Sequence, residues 1–301
     1  MRRRFNTLDV FTDIKMAGNP LAVVHDSEGL DTAAMQAIAR EFNLAETVFL
    51  LPPDDPINTA KIRIFTPGTE LPFAGHPTVG TAVLLAELRA PEMLGGAGIV
   101  IALEESIGLV KVEVSRRQGK TTRGVFSLPR LPVHVPDERD PLVVAQALDL
   151  QLEDIEVQGH RLGGFSAGVP FTIVPLRSLE ALARARSHSG PRFEQAFGGA
   201  SLAAAYLSVR TEANTWRTRM FGHGMGISED PATGAAAAAF AGAIMAYDKP
   251  GDGEHQHIIL QGVEMGRPSE IVLTLTVLGG ILQDVSIGGC AVRISEGTID
   301  L

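Results

Sequence analysis

The chain has 301 residues, 45% of them apolar and 20% charged, with a formal net charge of −9 and an isoelectric point near 5.4. That is the composition of a globular protein with room for one large domain or two of ordinary size, and its acidic balance, without a basic stripe, argues against nucleic acid as a partner. One cysteine, Cys290, excludes an internal disulfide and any zinc or iron–sulfur site built on several thiols.

In chain order, the basic opening "MRRRF" runs into "NTLDVFTD" rather than an apolar signal region. No apolar run approaches the roughly 20 residues of a membrane helix. A cytoplasmic protein with no membrane partner is therefore expected. "FNTLDVFTD" reads as a strand and "GNPLAVVHD" as a turn and a second strand. Asp31 caps a helix, "DTAAMQAIAREF", with Ala34, Ile38 and Phe42 on one stripe. "TVFLLPP" and "AKIRIFTP" read as strands that end at prolines, followed by the helix "PTVGTAVLLAELRA". "GIVIALEE", "GLVKVEVSRR" and "TTRGVFSLP" alternate like strands. The proline-rich "LPRLPVHVPDERDP" marks a domain boundary after residue 130. Beyond it come a helix, "DPLVVAQALDL", and strands "FTIVPL", "LAAAYLSVR" and "TWRTRMFG". An alanine-rich helix after Pro231 and a β-rich end complete the chain.

The two halves share a device. Residues 76–82 read HPTVGTA and residues 230–236 read DPATGAA. Proline suits the first helical position, and the residue before it is pushed out of the α region. His76 and Asp230 are thus expected in the cap position of their helices. Aspartate caps well and histidine poorly, so His76 points to another task. Small residues leave the first-turn N–H groups uncovered, which with the helix dipole suits an anion. The plainer alternative is that proline-started helices are common and that small residues let helices pack closely. Glu46, between a helix end and the apolar "TVFLL", is either an exposed acid in a turn or a desolvated carboxyl fit for general base work.

These stretches resemble the PhzF family of phenazine-biosynthesis-like isomerases. "AGNPLAVV", "IAREFNLAETVFL", "IRIFTP", "ELPFAGHPTVGTA", "GVPF", "EDPATG" and "QGVEMGRPSEI" carry the resemblance over almost the whole chain, in the family's order. It implies an α+β, diaminopimelate-epimerase-like fold of two pseudo-symmetric domains, each a curled mixed β-sheet around a central helix, with the active site between them. It also implies that the C-terminal strand, 288–301, completes the first domain, 1–130, and leaves 131–287 as the second, and that the protein is a homodimer that needs no cofactor or metal. In the family's phenazine enzyme a glutamate moves a proton within trans-2,3-dihydro-3-hydroxyanthranilate. By motif, that glutamate is Glu46, and His76 and Asp230 hold the substrate and assist. Gly75, Pro77 and Thr78 at one helix mouth, and Thr233, Gly234 and Ala235 at the other, are the expected substrate contacts. Ala235 departs from the family's frequent serine, which removes a donor and bears on the choice of substrate.

Other readings stand beside this one. A non-cysteine epimerase or racemase of the same fold is one, and an inactive ligand-binding relative is another. The two-thiol epimerase mechanism is closed to a chain whose only cysteine, Cys290, reads as a buried filler. "GFSAG", residues 164–168, matches a hydrolase elbow but precedes a strand-like run instead of a helix. "GHGMG" lacks the spacing of a dinucleotide site, and "HQH", residues 255–257, reads as a surface pair.

Overall fold

The computed structural model describes residues 2–301 except 117, 137–138, 156–158 and 199–203. The chain divides into two units, Met1–Ser127 with Gly288–Leu301, and Leu128–Ile287. The first contains β1 (Arg2–Val10), β2 (Asn19–Val24), α1 (Thr32–Phe42), β3 (Glu46–Leu51), β4 (Ala60–Phe65), β5 (Glu70–Leu71), α2 (Gly75–Arg89), β6 (Ile99–Glu105), β7 (Gly108–Ser115) and β8 (Arg123–Ser127). β1–β2 pair antiparallel, β2–β3 parallel, β3–β4 antiparallel, β4–β6 parallel, and β6–β7 and β7–β8 antiparallel. Residues of the last strand join β8 on one side and β1 on the other, from Ala291 opposite Val10 to Asp300 opposite Arg2. The sheet thereby closes on itself around α2. That helix carries almost no amphipathic pattern, and Gly75 to Ala86 are all buried. A helix apolar on all sides has to be enclosed, and a ring of strands encloses it. The fit is close at Gly80, where a Cβ would lie 2.6 Å from Val10 Cγ2 and 2.7 Å from Leu21 Cδ2. Outside the ring, α1 is capped by Asp31, which accepts from the Ala34 amide, and lays Met35, Ile38 and Ala39 on Val24, Phe49 and Phe65.

The second unit contains β9 (Val133–Val135), α3 (Pro141–Ala147), β10 (Gly163–Ser166), β11 (Pro170–Pro175), α4 (Leu179–Arg184), α5 (Pro191–Phe197), β12 (Ala205–Glu212), β13 (Thr215–Gly222), β14 (Ile227–Asp230), α6 (Gly234–Tyr247), β15 (Gly253–Gln261), β16 (Ser269–Leu278) and the start of β17 (Ile281–Asp300). From β10 to β16 its pairings repeat those from β1 to β7: antiparallel, parallel, antiparallel, a short antiparallel flap, parallel, antiparallel. α6 takes the place of α2, and Gly234 and Ala236 to Ile244 are buried. Alanine keeps it slim enough for the strands to close in, and a Cβ on Gly242 would meet Phe165 Cδ1 at 2.7 Å. The fold is that of diaminopimelate-epimerase-like proteins, two pseudo-symmetric domains each curled around a central helix.

The repeat extends to single residues. Ala60–Phe65 (AKIRIF) matches Trp216–Phe221 (WRTRMF) in sequence. In register, Ala60 lies opposite Leu103 and Trp216 opposite Ile259. Arg63 forks onto Glu70 of β5, and its counterpart Arg219 forks onto Glu229 of β14. Two residues beyond Leu103 and Ile259 stand Glu105 and Gln261, the last residues of β6 and β15.

Some local expectations change. The flaps β5 and β14 and the helices α4 and α5 went unforeseen, because two- to seven-residue elements carry too few positions to show a period. His257 is buried, accepting from Trp216 Nε1 at 3.3 Å, so the "HQH" pair is not a surface pair. Burial pushes its pKa down to about 4. Cys290 is half-buried. No helix among the described residues is long and apolar enough to cross a membrane.

Candidate active site

In the first unit the site is built on β2, β3 and the start of α2. After α1, Asn43 turns in the left-handed region and returns its amide to the Ala39 carbonyl, and the chain enters β3 at Glu46. β3 lies between β2 and β4, so Glu46 is 8% exposed despite its charge type. His76 is 4% exposed. Its Nε2 lies 3.1 Å from Glu46 Oε2.

The proton inventory of this pair follows from its surroundings. Burial pushes the His76 pKa down to about 3, so the ring is neutral at ordinary pH. A hydrogen bond ties the ring to the carbonyl of Pro20, beside the strand partner of Glu46. Nε2 has no bond of normal geometry, so Nδ1 makes that bond and carries the ring proton. Nε2 therefore presents a lone pair to a carboxyl oxygen. The contact is favourable when one proton lies between them, on oxygen or on nitrogen, and unfavourable when none does. The arrangement can share one proton between two buried atoms.

The helix mouth differs from the expected geometry. α2 begins at Gly75, its cap is Ala74 without a side-chain bond, and His76 and Pro77 are the second and third helical residues. His76 is thus inside the first turn and not in the cap position. Pro77 is tolerated there because first-turn N–H groups have no helical partner to lose. Thr78 donates its hydroxyl back to the Ala74 carbonyl at 2.8 Å and is 2.7 Å from Glu105 Oε1.

In the second unit Asp230 ends β14, and α6 begins four residues later at Gly234, with Thr233 at the cap. Asp230 is therefore not a cap either. It is 8% exposed and accepts the Thr233 hydroxyl at 2.5 Å. Gln261 fixes this corner: its Nε2 donates to the Asp230 carbonyl at 2.7 Å and to Thr233 Oγ1 at 2.9 Å, and its Oε1 accepts the Thr233 amide at 3.2 Å. Gly262 follows in the left-handed region, where a Cβ would lie 2.6 Å from the Pro231 carbonyl and 2.4 Å from that of Arg267. Only glycine fits such a close backbone approach. Gly234 and Ala235 open the first turn of α6, and Ala235 is half-buried.

Among the described residues, no group of three His, Cys, Asp or Glu side chains is placed to hold a metal ion. A concavity of about 1130 Å³ in the first unit lies at the far end of α2, around Leu85, Leu88 and Arg89, away from His76. In the second unit Trp216 stands at the position equivalent to Ala60, which lines that concavity, and Arg210 stacks on its ring at 4.2 Å.

Residues 8–297 match the family model for phenazine biosynthesis-like proteins, PhzC-PhzF. The chain belongs to the PhzF family. It is an isomerase of that family: a 50% identical relative, covering 99% of this chain and 98% of its own length, is an uncharacterized isomerase of Mesorhizobium japonicum. Another, 34% identical over 98% of both chains, is the trans-2,3-dihydro-3-hydroxyanthranilate isomerase of Pseudomonas chlororaphis. The crystal structure of a Bacillus anthracis PhzF-family protein superimposes over 100% of both chains with a TM-score of 0.85 at 24% identity, which speaks to the fold.

Within this PhzF chain, the structure brings Glu46 and His76 into contact and sets Gly75, Pro77 and Thr78 in the same helix start. Asp230, Thr233, Gly234 and Ala235 form the corresponding corner of the second unit. Pro20, Glu105 and Gln261 were not singled out as functional residues. "GNPL" and "QGVEMG" held the signal for two of them, whereas Glu105 lay in the unremarkable alternation "GIVIALEE".

Proposed function

We propose that the chain is a cofactor-independent isomerase in which Glu46 moves a proton between two atoms of a small carboxylated substrate, with trans-2,3-dihydro-3-hydroxyanthranilate as the substrate class to test first. The carrying observation is the buried contact of Glu46 with a neutral His76. Glu46, as carboxylate, takes the proton from a substrate C–H. The His76 lone pair then accepts a hydrogen bond from the new acid, and the same proton returns to a different substrate carbon. No net proton or electron is gained or lost. First-turn amides at Gly75 and His76, beside the Glu46 contact, offer donors for the substrate carboxylate. Asp230, with Thr233 bonded to it, offers an acceptor for a substrate hydroxyl or amine. The polypeptide is proposed to work as a cytoplasmic homodimer.

Turnover of that compound in D2O tests the reading. The wild type is expected to convert it with little deuterium at the carbon that receives the proton, because the proton removed from the substrate stays on Glu46 until it is returned. Glu46→Gln should fold and bind while losing about 10³-fold or more in kcat, within the range for removal of a general acid–base. His76 leaves its neutral form only near pH 3, so no activity limb near the usual histidine value of about 6.5 should appear. Retained turnover in Glu46→Gln sinks the mechanism.

A further inference from the structure

The end of β6 places an acid where the end of β15 places an amide. Glu105 and Gln261 occupy equivalent positions in the two units, each at the last residue of the strand parallel to β4 or β13. Each reaches the start of its own central helix. Gln261 bonds Thr233 and the Asp230 carbonyl, and Glu105 bonds Thr78, whose hydroxyl also bonds the Ala74 carbonyl.

A threonine hydroxyl has one hydrogen. If Thr78 spends it on Ala74, the 2.7 Å contact with Glu105 Oε1 needs a hydrogen from Glu105. The other oxygen, Oε2, is buried without a hydrogen-bond partner, which a carboxyl tolerates and a carboxylate does not. We propose that Glu105 is a positioning residue that acts as a neutral acid, a proton-carrying counterpart of Gln261 that holds the first turn of α2 and through it His76.

The neighbourhood supports the neutral form. Inward-facing Ile62 and Ile64 of β4 and Val110 and Val112 of β7 carry no charge. From α2, His76 is neutral. Arg63 and Glu70, on β4 and β5, are paired with each other. Lys61 of β4 and Glu104 of β6 alternate to the outer side, and Lys111 and Glu113 of β7 are exposed. With no cation turned toward it, burial raises the Glu105 pKa to about 8. Above that pH the Thr78 hydroxyl must turn to the new carboxylate and leave the Ala74 carbonyl with the Thr78 amide alone, at 3.2 Å, which loosens the turn that carries His76.

This inference rests on the proposed role of Glu46 and His76, and its test separates the two. NMR of protein with carboxyl-labelled glutamate should show one resonance that titrates near pH 8, present in the wild type and in Glu46→Gln and absent in Glu105→Gln. In the wild type the folded state holds a proton that the unfolded state gives up near pH 4.5, so the melting temperature should fall from pH 4.5 to 8. Glu105→Gln should flatten that slope. With trans-2,3-dihydro-3-hydroxyanthranilate as substrate, Glu105→Gln should keep turnover near the wild-type level at pH 7 and remove the alkaline fall. Glu105→Leu should lose about tenfold at every pH, the worth of one buried hydrogen bond. A resonance that persists in Glu105→Gln, ionisation of every glutamate below pH 6, or failure of the amide variant to fold overturns the proposal. Undiminished turnover in Glu46→Gln overturns the reading of Glu46 and leaves the Glu105 titration standing.

Discussion

The two helix starts spell the same pattern and fold it differently. In the first, "GHP" is wound into α2, so His76 is fixed by helical geometry and pressed against Glu46. In the second, "EDP" stays in β14 and the bend after it, so Asp230 is fixed by Thr233 and Gln261 instead. The first start presents a neutral ring beside an acid, and the second an acid beside neutral donors. The strand pattern is common to both units, but α2 starts one residue before His76 and α6 four residues after Asp230, which sets a histidine against an acid in one corner and an aspartate against neutral donors in the other.

If the two corners were interchangeable, His76→Asp would be tolerated. It places a second acid in the buried pocket of Glu46, and two carboxyls sharing such a site do not both ionise. The base is then protonated or the pocket repels itself. Turnover should fall on the order of 10³-fold, about 4 kcal/mol of transition-state stabilisation, while circular dichroism stays unchanged. Activity within tenfold of wild type would show that the two corners are equivalent after all.

The flap ion pairs sharpen the comparison through stability. Arg219 is 5% exposed and also donates to the Leu182 and Ala185 carbonyls, whereas the Arg63 and Glu70 side chains are 23% and 31% exposed. Removing one partner of a buried pair strands the other. Arg219→Met should therefore cost about 3 kcal/mol or more in denaturant unfolding. Arg63→Met should cost about 1 kcal/mol or less, because solvent screens the pair it breaks. Equal losses would mean that both flaps are held by something other than their arginines.

Much of this was legible in the sequence, and for physical reasons. Strands such as "TVFLL" announce themselves by run length, the Asp31 helix by its cap, and the two central helices by the repeated proline and glycine. His76 and Asp230 stood out through the repeated proline device, Glu46 through the apolar "TVFLL" directly after it, and the family motifs that carry all three suggested their roles. The helix start could not be read, since the proline rule allows proline anywhere in the first turn and the residue after "GHP", Thr78, is bonded to Glu105, 27 positions along the chain. Gln261 and Glu105 were hidden for the same reason. Their meaning lies in strand register, which brings Glu105 against Thr78, 27 positions away, and Gln261 against Thr233, 28 positions away, and leaves no local period.

The smallest expected effect concerns Ala235, at the second residue of α6. Its half-buried methyl offers no donor where the family often has serine. Ala235→Ser adds one hydroxyl to a first turn, where serine is well tolerated, so stability should change by no more than about 0.5 kcal/mol. Binding is the informative readout. If the substrate presents a polar atom at this corner, the new hydroxyl should alter KM for trans-2,3-dihydro-3-hydroxyanthranilate by about tenfold, one hydrogen bond, with kcat little changed. A tighter KM would mean that this chain gave up a contact its substrate can still use. A weaker one would mean that its corner is shaped for a substrate with an apolar group there, because a buried hydroxyl left without a partner costs as much as a satisfied one gains. An unchanged KM would place residue 235 outside the substrate's reach and shift the search for specificity to Thr233 and Gln261.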